Sequence, residues 1–267
     1  DTTEKRFIVS KGLSATQIGQ KLYDEGLIRN PLAFKIYVQV KGIAKKIQPG
    51  MFSLSAGQPL SEVVKRLTRN PDELVVKIPE GLRREEVVEI LISSLEIDEE
   101  ESSNFRTEFL RKTEGKEGYL FPDTYYFLPG TDAGMVVSRL TGTFQQKIKE
   151  IGNKYSAGYS LNDVVILASL IEREAITTEE RPVVAGILYN RLKDNWPLQV
   201  DAAVQYAVAN DNCKLKIKNC NDWWPKNLTK EDLEINSPYN TYRFGGMPPA
   251  PISNPGFESL KAAVNPV

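Results

Sequence analysis

Two carboxylic acids lie two residues apart at the end of an apolar, helix-forming stretch, and their type and spacing suit proton transfer. The stretch is LNDVVILASLIEREA, residues 161–175, and it contains Glu172 and Glu174. At about 100° per residue, the two side chains lie on opposite flanks of the apolar arc, so each has apolar neighbours. A carboxyl group in such surroundings resists ionisation, and a raised pKa suits a general acid. The same geometry also fits two boundary residues of a core helix that make ordinary ion pairs.

The composition narrows the chemistry that these acids could serve. The 267 residues include no histidine, which excludes His-ligated zinc, Ser-His-Asp triads and Cys-His dyads. Catalysis would therefore use carboxylates, Lys, Tyr, Ser or backbone groups. A net charge of −1 argues against a dedicated nucleic-acid-binding protein.

Local signals predict the elements that position these acids. Ser160 with Asp163 resembles a capping box that begins the central helix. Thr178 can cap a helix from 179 to 193, and Asp201 is a natural N-cap for residues 202–209. Residues 237–256 are rich in Pro, Gly, Tyr and Asn, which is typical of a binding loop or of a linker.

The first third of the chain contains a loose repeat of a short strand, a glycine and an amphipathic helix, in residues 6–22, 51–67 and 74–91. Asn30 and Pro31 predict the start of one more helix between the first two copies. Residues 6–69 are thus predicted to run strand, helix, helix, strand, helix. The turn at 70–72 then separates a small α+β module, residues 1–70, from a larger α+β domain, residues 71–267.

Two further features concern the surroundings in which the protein works. Residues 1–70 contain 12 Lys and Arg against 5 Asp and Glu, which fits an anionic membrane face or wall polymer, or is a bias of composition alone. Cys213 and Cys220 flank KLKIKN, which predicts a small hairpin closed by a disulfide in an oxidising compartment. Two free thiols are the alternative.

Several short motifs, in this order along the chain, resemble the endolytic murein transglycosylases of the YceG-like family. They are PEG at 79–81, EGYLFPDTY at 117–125, LASLIEREA at 167–175, YNRL at 189–192, LQVD at 198–201, SPYNTY at 237–242, GMPPAPISNPG at 246–256 and SLKAA at 259–263. The segment SPYNTY, followed by two prolines and a Pro-Gly pair, is the most specific of them. Residues 1–70 resemble the family's LysM-like module more weakly.

The resemblance implies an α+β enzyme with a LysM-like N-terminal module and a larger catalytic domain. Such enzymes cut the β-1,4 bond after N-acetylmuramic acid in nascent peptidoglycan strands and leave 1,6-anhydro ends. Members begin with one transmembrane helix and continue beyond SLKAA with further β segments. We therefore expect a single-pass anchor in the bacterial membrane and a C-terminal continuation outside this sequence, with the catalytic part facing the periplasm or wall.

The resemblance also implies roles for individual residues. The family's catalytic glutamate is the first acid of the ASxxExE pattern, here Glu172. One carboxyl suffices for a lytic enzyme, because the C6 hydroxyl of the sugar attacks C1 and the same group serves as acid and then as base. Residues expected to support catalysis or bind substrate are Glu174, Gln199, Asp201, Tyr239, Asn240, Tyr242, Glu117 and Tyr125. No cofactor, metal or nucleic acid is expected, and the partners are glycan strands and peptidoglycan synthases.

Two other functional classes fit the same residues. The chain could be a wall-glycan-binding scaffold without activity. It could also be a muramidase-type hydrolase that uses two carboxylates, Glu172 with Asp201 or Glu117. Hydrolysis yields a reducing sugar and transglycosylation does not, so the products distinguish these classes.

Overall fold

The computed structural model describes residues 4–10, 12–152, 158–214 and 223–267 of the chain. The chain forms two compact units. The first comprises Asp1–Val76, Leu91–Glu101 and Thr124–Asp132, and the second comprises Lys77–Ile90, Ser102–Asp123 and Ala133–Val267. Helices and short strands occur together, which confirms the α+β class. The LysM-like character of residues 1–70 and the domain boundary near residue 70 stay predictions.

The first unit begins with the predicted order of elements. They are strand β1 (Glu4–Val9), helices α1 (Ala15–Asp24) and α2 (Pro31–Val40), strand β2 (Gly50–Ser55) and helix α3 (Leu60–Leu67). Strands β1 and β2 pair antiparallel with Phe7 opposite Phe52, and these rings help to form a core beneath the three helices. The Asn30 side chain accepts hydrogen bonds from the backbone N–H groups of Leu32 and Ala33, so it caps α2 as expected.

The segment that follows contributes elements to both units. Strands β3 (Leu74–Lys77) and β4 (Thr124–Phe127) form a second two-stranded sheet. Helix α4 is Arg84–Ser94, which agrees with the third copy of the repeat. Helix α5 (Glu99–Lys112) begins earlier than the helix at 104–111 that its apolar residues suggest, and three glutamates in its first turn favour that earlier start.

Helix α7 (Leu161–Glu174) is the centre of the second unit. Every residue from Val164 to Ile171 is buried, and the Ser160–Asp163 capping box forms as predicted. The helix packs against α8 (Arg181–Lys193), α9 (Asp201–Lys214) and α11 (Phe257–Val264). Helices α6 (Ala133–Ile151) and α10 (Lys230–Leu233) complete this unit. Helix α7 is therefore in contact with three other helices of this unit.

Two of the predicted helix starts are wrong. Helix α8 begins at Arg181 without a side-chain cap, and the Thr178 hydroxyl accepts a hydrogen bond from the Arg181 guanidinium instead. Helix α9 begins at Asp201 itself, so Asp201 is its first residue and not its N-cap. In both cases the side chain that was predicted to cap the helix instead makes a hydrogen bond to another side chain, as described below.

One predicted feature lies outside the residues that the structure describes. Residues 215–222 and the side chain of Cys213 are outside the described residues, so the hairpin and the Cys213–Cys220 disulfide stay predictions.

None of the helices in the described part of the chain has both the length and the apolar character needed to cross a bilayer.

Candidate active site

Glu172 lies in the last turn of α7, and both oxygens of its carboxylate are bound by protein groups. Oε1 accepts a hydrogen bond from Arg181 Nη2 at 3.2 Å, and Oε2 accepts one from the backbone N–H of Gly256 at 2.9 Å. Its side chain is 6% exposed. Glu172 therefore makes an ion pair, the alternative that the sequence left open, because helix packing brings a guanidinium and an amide N–H to its carboxylate.

Arg181, the first residue of α8, extends this linkage to two other elements. Its Nε donates to Ser259 Oγ on α11 at 2.9 Å, and its Nη1 donates to Thr178 Oγ1 at 3.0 Å. The Arg181 side chain is 12% exposed. The Glu172–Arg181 pair thus joins the end of α7 to the starts of α8 and α11.

The PEG loop, residues 79–81, packs beside Glu172. Gly81 has φ = +77°, a conformation that favours glycine, and a Cβ at this position would lie in van der Waals contact with Glu172 Cγ, 3.4 Å away. Glu80 Oε2 lies 3.7 Å from Arg181 Nη2. Burial and then the charge of Glu172 raise the pKa of Glu80, while Arg181 opposes them. The Glu80 side chain remains about half exposed.

Asn254 joins the PEG loop to the EGYLF segment, and it is fully buried. Its Oδ1 accepts hydrogen bonds from the N–H groups of Gly118 and Leu120, at 3.0 and 2.9 Å. Its Nδ2 donates to Leu82 O at 3.0 Å and to Glu117 Oε1 at 2.7 Å. A single amide side chain therefore fixes two loops that are far apart in sequence.

Glu174 lies on the other flank of α7 and differs from Glu172 in its surroundings. The residue is exposed, yet the protein around its carboxyl partly desolvates it, and this raises its pKa. The backbone N–H of Ala202, at the start of α9, hydrogen-bonds the carboxyl and opposes the rise, whereas the charge of Asp201 adds to it. The raised pKa predicted for Glu174 is thus confirmed in direction.

Asp201 and Tyr242 form a hydrogen-bonded pair near Glu174. Tyr242 Oη donates to Asp201 Oδ1 at 2.6 Å, and this bond, with burial, raises the pKa of Tyr242 to about 12. The charge of Glu174 also raises the pKa of Tyr242, which indicates that the two side chains are neighbours. Glu174, Asp201 and Tyr242 are called the acid cluster below.

Gln199 is held next to this cluster in an unusual conformation. Its φ is +50°, in the left-handed region that residues other than glycine seldom adopt, and it is exposed between the buried residues Leu198 and Val200. Its N–H donates to Thr241 O at 3.0 Å, and the Val200 N–H donates to Thr241 Oγ1 at 2.9 Å. The LQVD and SPYNTY segments are therefore fastened together, and backbone strain at one residue turns the Gln199 side chain outward.

Glu117 forms a third, buried group. It is 7% exposed and accepts hydrogen bonds from the Arg84 N–H, at 3.2 and 3.3 Å, besides the one from Asn254. Burial, together with the charge of Glu85, raises the pKa of Glu117 to about 8. Its charge in turn raises the pKa of Tyr239, after burial.

Comparison with known proteins identifies the family to which these loops belong. The sequence model of the YceG-like family matches residues 7–267. The chain belongs to the YceG-like family. The resemblance inferred from the motifs is therefore confirmed.

The relatives share the whole length of this chain. The endolytic murein transglycosylase of Bacillus subtilis (strain 168) is 29% identical over 284 residues, which cover 97% of this chain and 74% of that protein. The protein of that name from Streptococcus pneumoniae serotype 2 is 24% identical over 304 residues, which cover 99% of this chain and 53% of that protein. The chain thus spans about half the length of the pneumococcal relative.

A solved structure of a YceG-like protein from Listeria monocytogenes has the same fold. It is 25% identical, has a TM-score of 0.58, and the match covers 100% of this chain and 91% of that one. Both units of this chain therefore fall within the matched region.

This YceG-like fold brings four of the expected site residues together and places the others elsewhere. The four that meet are Glu174, Gln199, Asp201 and Tyr242. Asn240 is fully buried, and its amide serves the loop itself, because Nδ2 donates to Leu233 O and Ile235 O and Oδ1 accepts from the Tyr242 N–H. Tyr239 is half-buried and lies near the buried Glu117, whose charge adds to the effect of burial in raising the pKa of Tyr239. Tyr125 is buried in β4, where its ring stacks on Phe127.

The structure adds residues that the sequence argument does not single out. Glu80 and Asn254 lie within motifs that mark the family, PEG and NPG, and Thr241 lies within SPYNTY. The positions of Glu80 and Asn254 beside prolines were the available signal for these two. Arg181 stands outside every motif, and only the packing of α8 against α7 shows that it binds Glu172.

Proposed function

We propose that this chain is an endolytic lytic transglycosylase of peptidoglycan. It would cleave the β-1,4 bond between N-acetylmuramic acid and N-acetylglucosamine and leave a 1,6-anhydro end. Membership of the YceG-like family and the names of the two relatives support this class of activity. The observation that carries the proposal is the acid cluster, in which an exposed carboxyl with a raised pKa lies beside a second carboxylate.

The geometry favours Glu174 over Glu172 as the proton donor. A general acid must come within hydrogen-bond distance of the leaving oxygen. Both oxygens of Glu172 are bound by protein groups and its side chain is 6% exposed. Glu174 is exposed, and desolvation raises its pKa above that of an ordinary glutamate, which favours the protonated form that a general acid needs. The family pattern assigns the proton transfer to Glu172, and this assignment stays a prediction that the variants below test.

In the proposed reaction Glu174 protonates the oxygen of the leaving N-acetylglucosamine. It then accepts the proton of the C6 hydroxyl as that oxygen attacks C1 of the muramic acid, so the carboxyl returns to its starting state. The developing positive charge at C1 is stabilised by the carboxylate of Asp201, which the Tyr242 hydroxyl orients. The exposed side chain of Gln199 is placed to bind a sugar hydroxyl or acetamide group.

The same cluster supports hydrolysis as the second candidate. Glu174 and Asp201 are two neighbouring carboxylates, as a muramidase requires. Transglycosylation needs water to be excluded from C1, whereas hydrolysis needs water there. The two outcomes differ in one product, because the hydrolysed end is heavier by one water molecule and is a reducing sugar.

The test is mass spectrometry of the products from purified, uncrosslinked glycan strands. Fragments ending in 1,6-anhydro-N-acetylmuramic acid at internal cleavage positions are expected. Reducing ends in their place would contradict the lytic proposal and support the hydrolase. Strands that remain uncleaved but bound would support a glycan-binding scaffold.

Three single substitutions then locate the acid. Glu174→Gln is expected to lower the rate by about 10²–10⁴-fold, the usual contribution of general acid–base catalysis. Glu80→Gln is the matched control, since Glu80 is also partly exposed with a raised pKa but lacks the Asp201–Tyr242 pair. If Glu174→Gln keeps its activity while folded Glu172→Gln loses it, the assignment by geometry is wrong.

The wider setting remains part of the proposal. We place the protein on the outer face of a bacterial membrane, held by an N-terminal helix and acting near peptidoglycan synthases on nascent strands. The small module of residues 1–70 would bind glycan or position the enzyme without performing chemistry. Deleting it should weaken binding to polymer more than cleavage of a short soluble strand.

A further inference from the structure

Helix α2 has an outward face that is unusually apolar for the surface of a small module. Leu32, Ile36 and Val40 follow one another at intervals of four residues and are 60, 51 and 78% exposed. At 100° per residue they form one stripe, opposite the buried side chains Phe34 and Val38. These three residues are called the α2 stripe. Because both faces of α2 are apolar, its sequence resembles that of a helix with partners on two sides.

The other two helices of the module show that this is not a general property of its surface. The exposed residues of α3 are Ser61, Glu62 and Lys65, all of them polar. Those of α1 are Thr16, Gln17, Gln20 and Asp24, with Tyr23 at one edge. The three helices bury their inner faces in the same core, so the core does not explain the α2 stripe.

The charged residues in the segment of chain that contains the stripe all have one sign. From Gly26 to Ser61 the sequence contains no Asp or Glu, but it contains Arg29, Lys35, Lys41, Lys45 and Lys46. Four of these five bases are exposed and Lys35 is half-buried. Lys41, Lys45 and Lys46 follow directly after Val40, at the end of the stripe. An aliphatic face in a segment whose only charged residues are bases matches a surface that is anionic outside and apolar beneath, which describes a bilayer containing acidic lipids.

We propose that the α2 stripe is a lipid-docking surface, which inserts its aliphatic side chains among the headgroups of an anionic membrane while the bases bind lipid phosphates. The helix then lies in the plane of the interface, and the module is held against the membrane. A soluble anionic polymer would account for the bases but not for three exposed aliphatic side chains in line. This inference is independent of the proposed cleavage reaction, since no residue of the acid cluster takes part in it.

The experiment measures co-sedimentation of the full chain with phosphatidylcholine vesicles, with and without phosphatidylglycerol. Binding to the anionic vesicles, weakened by added salt, is expected. The variant Leu32→Gln/Ile36→Gln/Val40→Gln should bind at least about tenfold more weakly, because burial of aliphatic side chains provides part of the affinity. The matched control is Val183→Gln/Ile187→Gln, a pair on α8 with the same spacing and 52 and 49% exposure. It should bind like the unaltered chain.

A second variant keeps the aliphatic side chains and changes the charges. Lys41→Glu/Lys45→Glu/Lys46→Glu alters exposed residues only, and it should lower binding by about 10²-fold or more, since each base near an anionic surface contributes about a factor of five. Circular dichroism of each variant checks the fold. The proposal is overturned if the unaltered chain does not bind anionic vesicles, or if either folded variant binds as tightly as it does. It is also overturned if the stripe instead mediates a dimer, seen by sedimentation and lost in the first variant.

Discussion

Replacing Glu172 by glutamine should weaken the fold, whatever it does to catalysis. The carboxylate joins the end of α7 to Arg181 of α8 and to the N–H of Gly256 before α11. Glutamine has nearly the same shape, but it carries no charge and has only one accepting oxygen for two donors. One donor therefore meets an amide NH₂ group, and the Arg181 charge loses its nearest counter-ion in a site that is almost closed to water.

The structure sets the size of the effect. The Glu172 and Arg181 side chains are 6 and 12% exposed, so the pair is little screened by solvent. Removing one partner of a buried pair costs about 3–5 kcal/mol. Glu80, whose Oε2 lies 3.7 Å from Arg181 Nη2, supplies part of the compensating charge. We therefore expect Glu172→Gln to lower the free energy of unfolding by about 2–4 kcal/mol.

The assay is urea unfolding of Glu172→Gln, Arg181→Met and the double variant. Tryptophan fluorescence reports on the second unit, which contains Trp196, Trp223 and Trp224. The two changes should be coupled by about 2 kcal/mol, because each removes a partner of the other. The matched control is the Lys147–Glu150 pair on α6, which has the same 3.2 Å separation but is 32 and 53% exposed. Its coupling should stay below about 1 kcal/mol.

Two results would refute this reasoning. The first is a coupling between Glu172 and Arg181 no larger than that of the Lys147–Glu150 control. The second is a Glu172→Gln protein of unchanged stability that forms no anhydro product. Either result would favour Glu172 as the catalytic acid, as the family pattern predicts. Arg181 would then only orient its carboxylate.

Three further outcomes are expected. Asn254→Ala should cost about 3–5 kcal/mol of stability in urea unfolding, because it removes four hydrogen bonds and takes the acceptor away from the buried N–H groups of Gly118 and Leu120. The pKa of Glu117 is about 8 in the folded state, above its ordinary 4.5, so the folded state holds one proton more between these values and stability falls as pH rises through this range. Glu117→Gln should lack that part of the slope, about 1 kcal/mol per pH unit, when unfolding is compared from pH 5 to 8. Tyr242→Phe removes the hydroxyl that binds Asp201, so kcat/KM for strand cleavage should fall about tenfold while the melting temperature changes little.

The sequence predicted those parts of the fold that depend on local interactions. The Ser160–Asp163 capping box, the Asn30 cap and the order of the first five elements each depend on residues within a few positions of one another. The buried central helix follows from its apolar run. The Thr178 prediction failed for the opposite reason, since its hydroxyl binds Arg181, whose position depends on α7 and α11.

The sequence did not predict which of the expected site residues lie near one another. Periodicity placed Glu172 and Glu174 on opposite flanks of α7, and this is what the structure shows. It could not show that one flank faces α8 and α11 while the other faces the start of α9. Asn240 and Asp201 both looked like polar residues available to a sugar, yet one is enclosed by its own loop and the other is exposed. That difference depends on contacts between loops distant in sequence, which composition does not reveal.

The separation of the two glutamates allows one helix end to have two different roles in the proposed reaction. Residues two positions apart on a helix are turned by about 200°, so Glu172 and Glu174 cannot share one environment. The first is fixed by a guanidinium and a backbone N–H, and it holds three helix ends together. The second accepts a hydrogen bond from the Ala202 N–H, and the charges of Asp201, Arg173 and Arg191 also act on it. If Glu174 is the proton donor, as proposed, Glu172 supplies the rigid support that a positioned acid needs.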